Sequence, residues 1–158
     1  MSDITNLIFI FGAKYLHLII IIISFVWFLA QPRERQKEIL IIACAYLPLV
    51  LLISWAVSLL YYNPRPFVLG HFEPLIPHKA DNGFPSHHML LASSVAAATF
   101  IFNRRLGLVL WALAAFVGFS RVYAGLHHII DVAGSILISI IVLTLACFLV
   151  RYLKKPKL

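Results

Sequence analysis

Charge is scarce in this chain. Only 12% of its 158 residues are Asp, Glu, Lys or Arg, against 62% hydrophobic residues and a mean hydropathy of +0.95. So little charge excludes a water-soluble globular domain and points to a polytopic helical membrane protein. Cysteine is scarcer still. Cys44 and Cys147 each sit inside an apolar run with no pairing motif, which argues against a disulfide or a cysteine metal site. The opening M-S-D-I-T-N lacks a basic n-region, and no small-residue cleavage pattern follows, so no cleaved signal peptide is expected. Repeats and low-complexity segments are absent too. The net charge of +7 does not lie on a continuous basic stripe with interleaved aromatics, so nucleic acid is not an expected partner.

Apolar runs make up most of what is present. A crossing needs about 20 residues, and five runs approach that length, at about 13–30, 38–60, 86–102, 107–121 and 128–152. Pro48 is expected to kink the second. Residues 1–12 are too short to cross alone and form either an interfacial or re-entrant helix or the first turns of a longer span. The fold class expected is all-α, a single domain over 1–158 built as a transmembrane bundle of five to six helices. Small residues four apart (Ala92 with Ala96, Ala114 with Gly118, Ser135 with Ser139) suit close helix packing in lipid.

The basic residues fall in the breaks at 31–37, 103–105 and 151–158, which the positive-inside rule assigns to the cytoplasm. With five spans all three breaks lie on one side. The Pro-rich connection 61–85, which holds five of the eight prolines, and the turn 121–128 then share the outer face. Six of the seven histidines lie there: His71, His78, His87, His88, His127 and His128. Titratable residues thus converge on the extracytoplasmic side. Long loops of this kind are often functional.

Three stretches carry chemistry. The first is S-R-V-Y-A-G-L-H-H-I-I-D at 120–131. His127 and Asp131 are four apart, so on a helix they share a face and the carboxylate can hold the imidazole in one tautomer. Arg121 just upstream can clamp an anion bidentately. The second is N-P-R-P at 63–66, where two prolines fix Arg65 as a preorganised phosphate ligand. The third is F-P-S-H-H at 84–88. Pro85 and Ser86 stand where a helix should begin, so its free N–H groups can bind an anion, and His88 is placed to protonate a leaving oxygen. A nucleophilic imidazole beside an anion clamp is the layout for phosphoryl transfer through a phospho-histidine.

Read in order as R-P, then P-S-x-H, then S-R-x5-H-x3-D, the three stretches resemble the type 2 phosphatidic acid phosphatase superfamily of integral-membrane lipid phosphatases, over roughly residues 58–135. The resemblance implies that His127 is the nucleophile, Asp131 its orienting carboxylate and His88 the leaving-group acid. It implies that Arg65, Ser86 and Arg121 hold the phosphate. Of the adjacent histidines, His127 alone has the required spacing to both Arg121 and Asp131. Two positions depart from the pattern. Ser58 stands where the family has Lys, leaving one cation missing or supplied from elsewhere, such as Lys79. His87 stands where the family has Gly, and is expected as a phosphate or substrate contact. The run P-R-P-F-V followed by L-I-P-H-K-A-D-N-G-F-P-S-H-H is similar to the bacitracin-resistance type of undecaprenyl-diphosphate phosphatase, in which the Lys is likewise not retained. That branch implies a lipid diphosphate partner and a multi-pass protein of the bacterial plasma (inner) membrane, with its site facing outward and no metal or other cofactor.

Competing readings differ at defined points. Phosphatidate, phosphatidylglycerophosphate or lipid A phosphate are the alternative substrates for the same chemistry. Zn²⁺ held by His87, His88, His127, His128 and Asp131 is the rival to a metal-free site, though no compact helical metal motif is present. A transporter or a non-catalytic scaffold is the different-class alternative. Transport more naturally brings an inverted repeat and polar groups at mid-membrane depth, whereas here the polar residues cluster at one face. Glu73, His78, Lys79 and Asp81 read as a solvated loop near the headgroup entrance, and His17 as interfacial packing. Arg151, Lys154, Lys155 and Lys157 read as an anchor that meets anionic lipid.

Overall fold

A computed structural model describes residues 3–153. Seven helical segments appear among them: α1 (Asp3–Lys14), α2 (Leu16–Leu29), α3 (Arg33–Leu60), α4 (Pro66–Leu69), α5 (His87–Phe102), α6 (Arg104–Tyr123) and α7 (Ile129–Leu153). The expected anchor at Lys154, Lys155 and Lys157 lies outside the described residues.

The N-terminal segment is a helix in its own right. Asp3 in its first turn and Lys14 in its last complement the helix dipole. It meets α2 at Tyr15 with a bend of 51°, and the pair together is long enough for one broken span. The start of α3 reaches back to Arg33, into the basic break, because Pro32 presets the backbone before it and the charged first turns can sit in water. Side-chain amides close the end of α2 just before it. Gln36 donates to the carbonyls of Phe28 and Leu29 (3.2 Å each) and Gln31 to that of Trp27 (3.0 Å), satisfying acceptors that a helix end leaves open. Asn103 caps α6 by accepting from the Leu106 N–H at 3.1 Å. The Pro-rich loop is not wholly irregular, since it contains the single turn α4. Pro66 stands at its start, where a missing N–H costs nothing.

Three helices, α3, α6 and α7, are each long and apolar enough to cross a membrane. The central α5 is shorter. Its 16 residues span about 24 Å at ~1.5 Å per residue, less than the ~30 Å of a hydrocarbon core. It is nevertheless the helix around which the bundle closes. One face packs with Leu16 and Ile20 of α2 and Leu110, Ala114 and Val117 of α6. The other packs with Tyr46 and Val50 of α3 and Val142, Leu143 and Ala146 of α7. Ala92, Ala96, Ala114, Gly118, Ser135 and Ser139 are all buried at these seams. A Cβ on Gly118 would lie 2.7 Å from Val132, which is why the α6–α7 approach needs glycine there.

Hydroxyls join the helices across the interior. The Tyr46 hydroxyl donates to Ser94 (2.7 Å), Ser139 donates to Ser93 (2.8 Å), and Ser24 and Thr99 share a 2.8 Å bond. Large apolar side chains such as Leu51, Leu52, Trp55, Leu108 and Phe148 face outward instead. Polar groups inside and bare apolar surface outside is the arrangement a lipid solvent selects. The protein is a multi-pass membrane protein. One end of the bundle gathers the α2–α3 and α5–α6 breaks and the end of α7. The opposite end gathers the loop 61–85, the start of α5 and the α6–α7 turn.

Candidate active site

The site begins with backbone constraints. Between two prolines, Arg65 is held extended (φ −66°, ψ 150°), as a residue before proline must be. Its side chain is 4% exposed and four of its five N–H groups are engaged. Nε donates to Asp81 (2.7 Å), Nη1 to the Leu126 carbonyl (2.9 Å) and to His127 Nε2 (3.3 Å), and Nη2 to the Asn82 carbonyl (3.4 Å). The turn that carries His127 depends on Gly125, which lies at φ +75°, with the Phe72 ring so close that a Cβ would meet it at 2.6 Å.

Arg121, at the end of α6, reaches the same imidazole, donating from Nη2 to His127 Nε2 at 3.1 Å. A guanidinium can only donate, so two of them aimed at Nε2 require that nitrogen to be the acceptor. The proton therefore sits on Nδ1, where it is donated to the Gly83 carbonyl at 2.9 Å. This tautomer leaves the Nε2 lone pair facing two cations. Burial pushes the His127 pKa down to about 4, and the positive charges of Arg121 and Arg65 add to the effect against the pull of Asp131. A neutral imidazole at neutral pH is the nucleophilic form.

Asp131 reaches His127 differently from the helical-face expectation. His127 lies outside α7, on the turn before it, so the two residues share no helix face. Asp131 instead occupies the first turn of α7, where its Oδ2 accepts from the His128 N–H at 2.8 Å, a helix-capping arrangement. That oxygen is 3.5 Å from His127 Nδ1, beyond a good hydrogen bond but close enough to stabilise positive charge on the ring. Asn63 fixes the other oxygen, donating from Nδ2 to Oδ1 at 2.7 Å. The carboxylate is fully buried.

Asn82 ties the loop to the end of α3. Its Nδ2 donates to the carbonyls of Ser58 and Tyr61 (2.9 Å each), and its Oδ1 accepts from the N–H groups of Asn63 (2.9 Å) and Phe84 (3.0 Å). All its capacity is used. Asn63, Asn82, Gly83 and the Arg65-paired Asp81 are site residues that the sequence reading missed or left as solvated loop. Their D-N-G run signals a turn but not the four partners that Asn82 finds. Burial alone would raise the Asp81 carboxyl, but the hydrogen bond and charge of Arg65 hold it below the ordinary range.

Ser86 stands before α5, fully buried, and its Oγ makes no capping bond and has no hydrogen-bond partner among the described residues. The Nε of Arg121 is likewise buried without a partner. Both are donors not consumed by the fold. His88 follows in the first turn of α5, half-buried, with Arg121, His17, His127 and His78 as its charged and titratable neighbours. His87 does not join them. One residue turns a helix by about 100°, so with Ser86 and His88 inward His87 is left exposed. Lys79 is exposed, and the Ser58 hydroxyl bonds back to its own helix at Trp55 (2.7 Å), so neither reaches the cluster. Among the described residues no three His, Cys, Asp or Glu side chains are grouped so as to hold a metal ion.

The buried charges are thus two guanidiniums against one carboxylate, with half-exposed Asp81 at the edge. An excess of buried positive charge with spare donors suits an anion. A cleft of about 600 Å³ opens beside His127, walled by Pro66, Phe72, Val122, Tyr123, Ile129 and Ile130. Those walls are largely apolar. A second, apolar groove of about 300 Å³ between α2, α3 and α5 contains none of the site residues.

Residues 39–155 match the PAP2 superfamily. The chain is similar to undecaprenyl-diphosphatase BcrC of Bacillus subtilis (strain 168), with 40% identity over 92 residues, covering 58% of this chain and 48% of the relative. It therefore spans about half of that relative's length. It is also similar to the bacitracin transport permease protein BcrC of Bacillus licheniformis, 28% identical over 86% of this chain and 67% of the relative. Among solved structures, Aquifex aeolicus LpxE superimposes with a TM-score of 0.76 at 22% identity, over 94% of this chain and 88% of that one. The last likeness is one of fold.

Proposed function

Because the chain belongs to the PAP2 superfamily, we propose that it is a lipid phosphatase that removes the terminal phosphate of undecaprenyl diphosphate through a phospho-histidine, at the extracytoplasmic face of the bacterial plasma membrane. The observation that carries this reading is the buried His127 imidazole, with Nε2 under two guanidiniums and Nδ1–H on the Gly83 carbonyl. The apolar walls of the adjoining cleft suit a lipid, and the similarity to an undecaprenyl-diphosphatase favours that one.

The phosphate takes over the Arg65 and Arg121 donors now spent on Nε2, together with the free Ser86 hydroxyl and the first N–H groups of α5. That exchange releases the Nε2 lone pair toward phosphorus. Burial and the Arg121 charge hold the His88 pKa well below its ordinary value, so His88 takes up its proton only once the bound phosphate's negative charge offsets them. Nε2 attacks in line, the bond from phosphorus to the lipid oxygen breaks, and the protonated His88 gives that oxygen its proton. The ring becomes positively charged, and Asp131 at 3.5 Å stabilises it. Water then attacks phosphorus, gives a proton to His88 and breaks the N–P bond, releasing inorganic phosphate. Arg and N–H donors occupy the place a metal would take.

The deciding experiment is phosphate release by the purified chain in detergent with EDTA, from undecaprenyl diphosphate, phosphatidate and phosphatidylglycerophosphate in parallel, with His127→Ala as control. Release that needs His127 and favours the undecaprenyl lipid supports the whole reading. Preference for a glycerolipid keeps the chemistry and removes the substrate. No release from any lipid overturns the enzyme reading. Transport, the activity in the name of the Bacillus licheniformis relative, is disfavoured because the site residues lie at one end of the bundle.

A further inference from the structure

His17 has no place in the chemistry above, and its surroundings do not look like packing. It lies in the first turn of α2, 9% exposed, and its Nδ1 has no hydrogen-bond partner among the described residues. Burying an imidazole nitrogen without a partner costs free energy that an apolar residue would avoid. Its ring meets the ring of His88 edge to face, with centroids 4.5 Å apart at 77°. The bend at Tyr15 and the close approach of Gly12 to Ser120 and Phe116 of α6 bring α2 to this point.

His88 needs such a contact. Its ring has no hydrogen bond to another group among the described residues, and a half-buried imidazole at a helix start is free to turn. A general acid must stay within hydrogen-bond reach of the leaving oxygen. Arg121 from α6, His127 and His78 from the loops, and His17 from α2 are near enough to act on its charge, each against protonation. An edge-to-face contact between two rings limits how far either can turn without losing it.

We infer that His17 is a positioning residue that holds the His88 ring, through their edge-to-face contact, in line with the oxygen that leaves the phosphorus. This rests on the reading of His88 as the proton donor. It makes the start of α2 part of the support of the active site.

The test compares the wild-type chain with His17→Ala, His17→Phe and His88→Ala in detergent, on aryl phosphates graded from p-nitrophenyl to phenyl phosphate. A good leaving group needs little help from an acid and a poor one needs much. His17→Ala should lose about tenfold in kcat on phenyl phosphate and less than about twofold on p-nitrophenyl phosphate, with KM little changed. His17→Phe keeps a ring in the same place and should recover most of that loss. His88→Ala should show the same pattern more strongly. Equal loss on both substrates for His17→Ala, or a lower melting temperature with unchanged ratios, overturns the inference while leaving His88 as the acid. If His88→Ala itself shows no leaving-group dependence, the reading of His88 falls and the role of His17 falls with it.

Discussion

Asn63 offers the sharpest test of how the site is held. Its Nδ2 donates to Asp131 Oδ1 at 2.7 Å, while its backbone N–H is used separately by Asn82. Asn63→Ala removes only the first of these. Asp131 is fully buried, so the donors that fix its carboxylate come from the protein itself. A hydrogen bond to a buried charge is worth about 1.5–3 kcal/mol. If the carboxylate matters chiefly when His127 becomes positive, that energy appears in the barrier, as about 10- to 100-fold in kcat. Asn63→Asp sharpens the case, because it sets two carboxyl groups where one bond was. They cannot both ionise at that distance, so activity should be lowest at high pH and recover as pH falls and the pair takes up a shared proton. The assay is phosphate release against pH, with thermal unfolding in the same detergent to separate folding from chemistry. Asn63→Ala within twofold of wild type in kcat would refute the idea that Asp131 must be fixed in order to serve His127.

Stability should depend on pH through His127. Its pKa in the fold is about 4 against an ordinary 6.5, so the unfolded chain takes the proton first as pH falls. His127 leaves stability undiminished above 6.5, lowers it by about 3 kcal/mol between 6.5 and 4, and adds no further change below. The melting temperature should drop over that window, and a His127→Gln variant should drop less. Arg65→Lys should lower kcat/KM at least about tenfold, because an ammonium cannot reproduce the fork that meets Asp81, Leu126 and His127 together, and steady-state kinetics check it. Phosphate release should survive excess EDTA; loss restored by Zn²⁺ would favour the zinc alternative. Tyr46→Phe, far from the site, should cost about 1 kcal/mol of stability through the lost bond to Ser94 and leave kcat unchanged, as unfolding and turnover measurements would show.

The sequence by itself determined the solvent and the class of fold, because scarce charge and long apolar runs leave helices as the form that satisfies every backbone group in lipid. It also drew attention to Arg65, Ser86, His88, Arg121, His127 and Asp131, since ionisable residues are costly beside a membrane and stand out against an apolar background. Only the tertiary structure decided how they are held. Asn63, Asn82 and Gly83 look like ordinary turn residues until the loop folds back, with the Asn63 amide on Asp131, the Gly83 carbonyl on His127 and the Asn82 amide tying the loop to the end of α3. His87 and His88 are alike in the sequence, and the rotation of α5 makes one outward and the other inward. His17 shows the same limit from the other side. No local pattern links it to His88, because contacts between distant helices are set by how the bundle packs, and a single chain read in order carries no record of that.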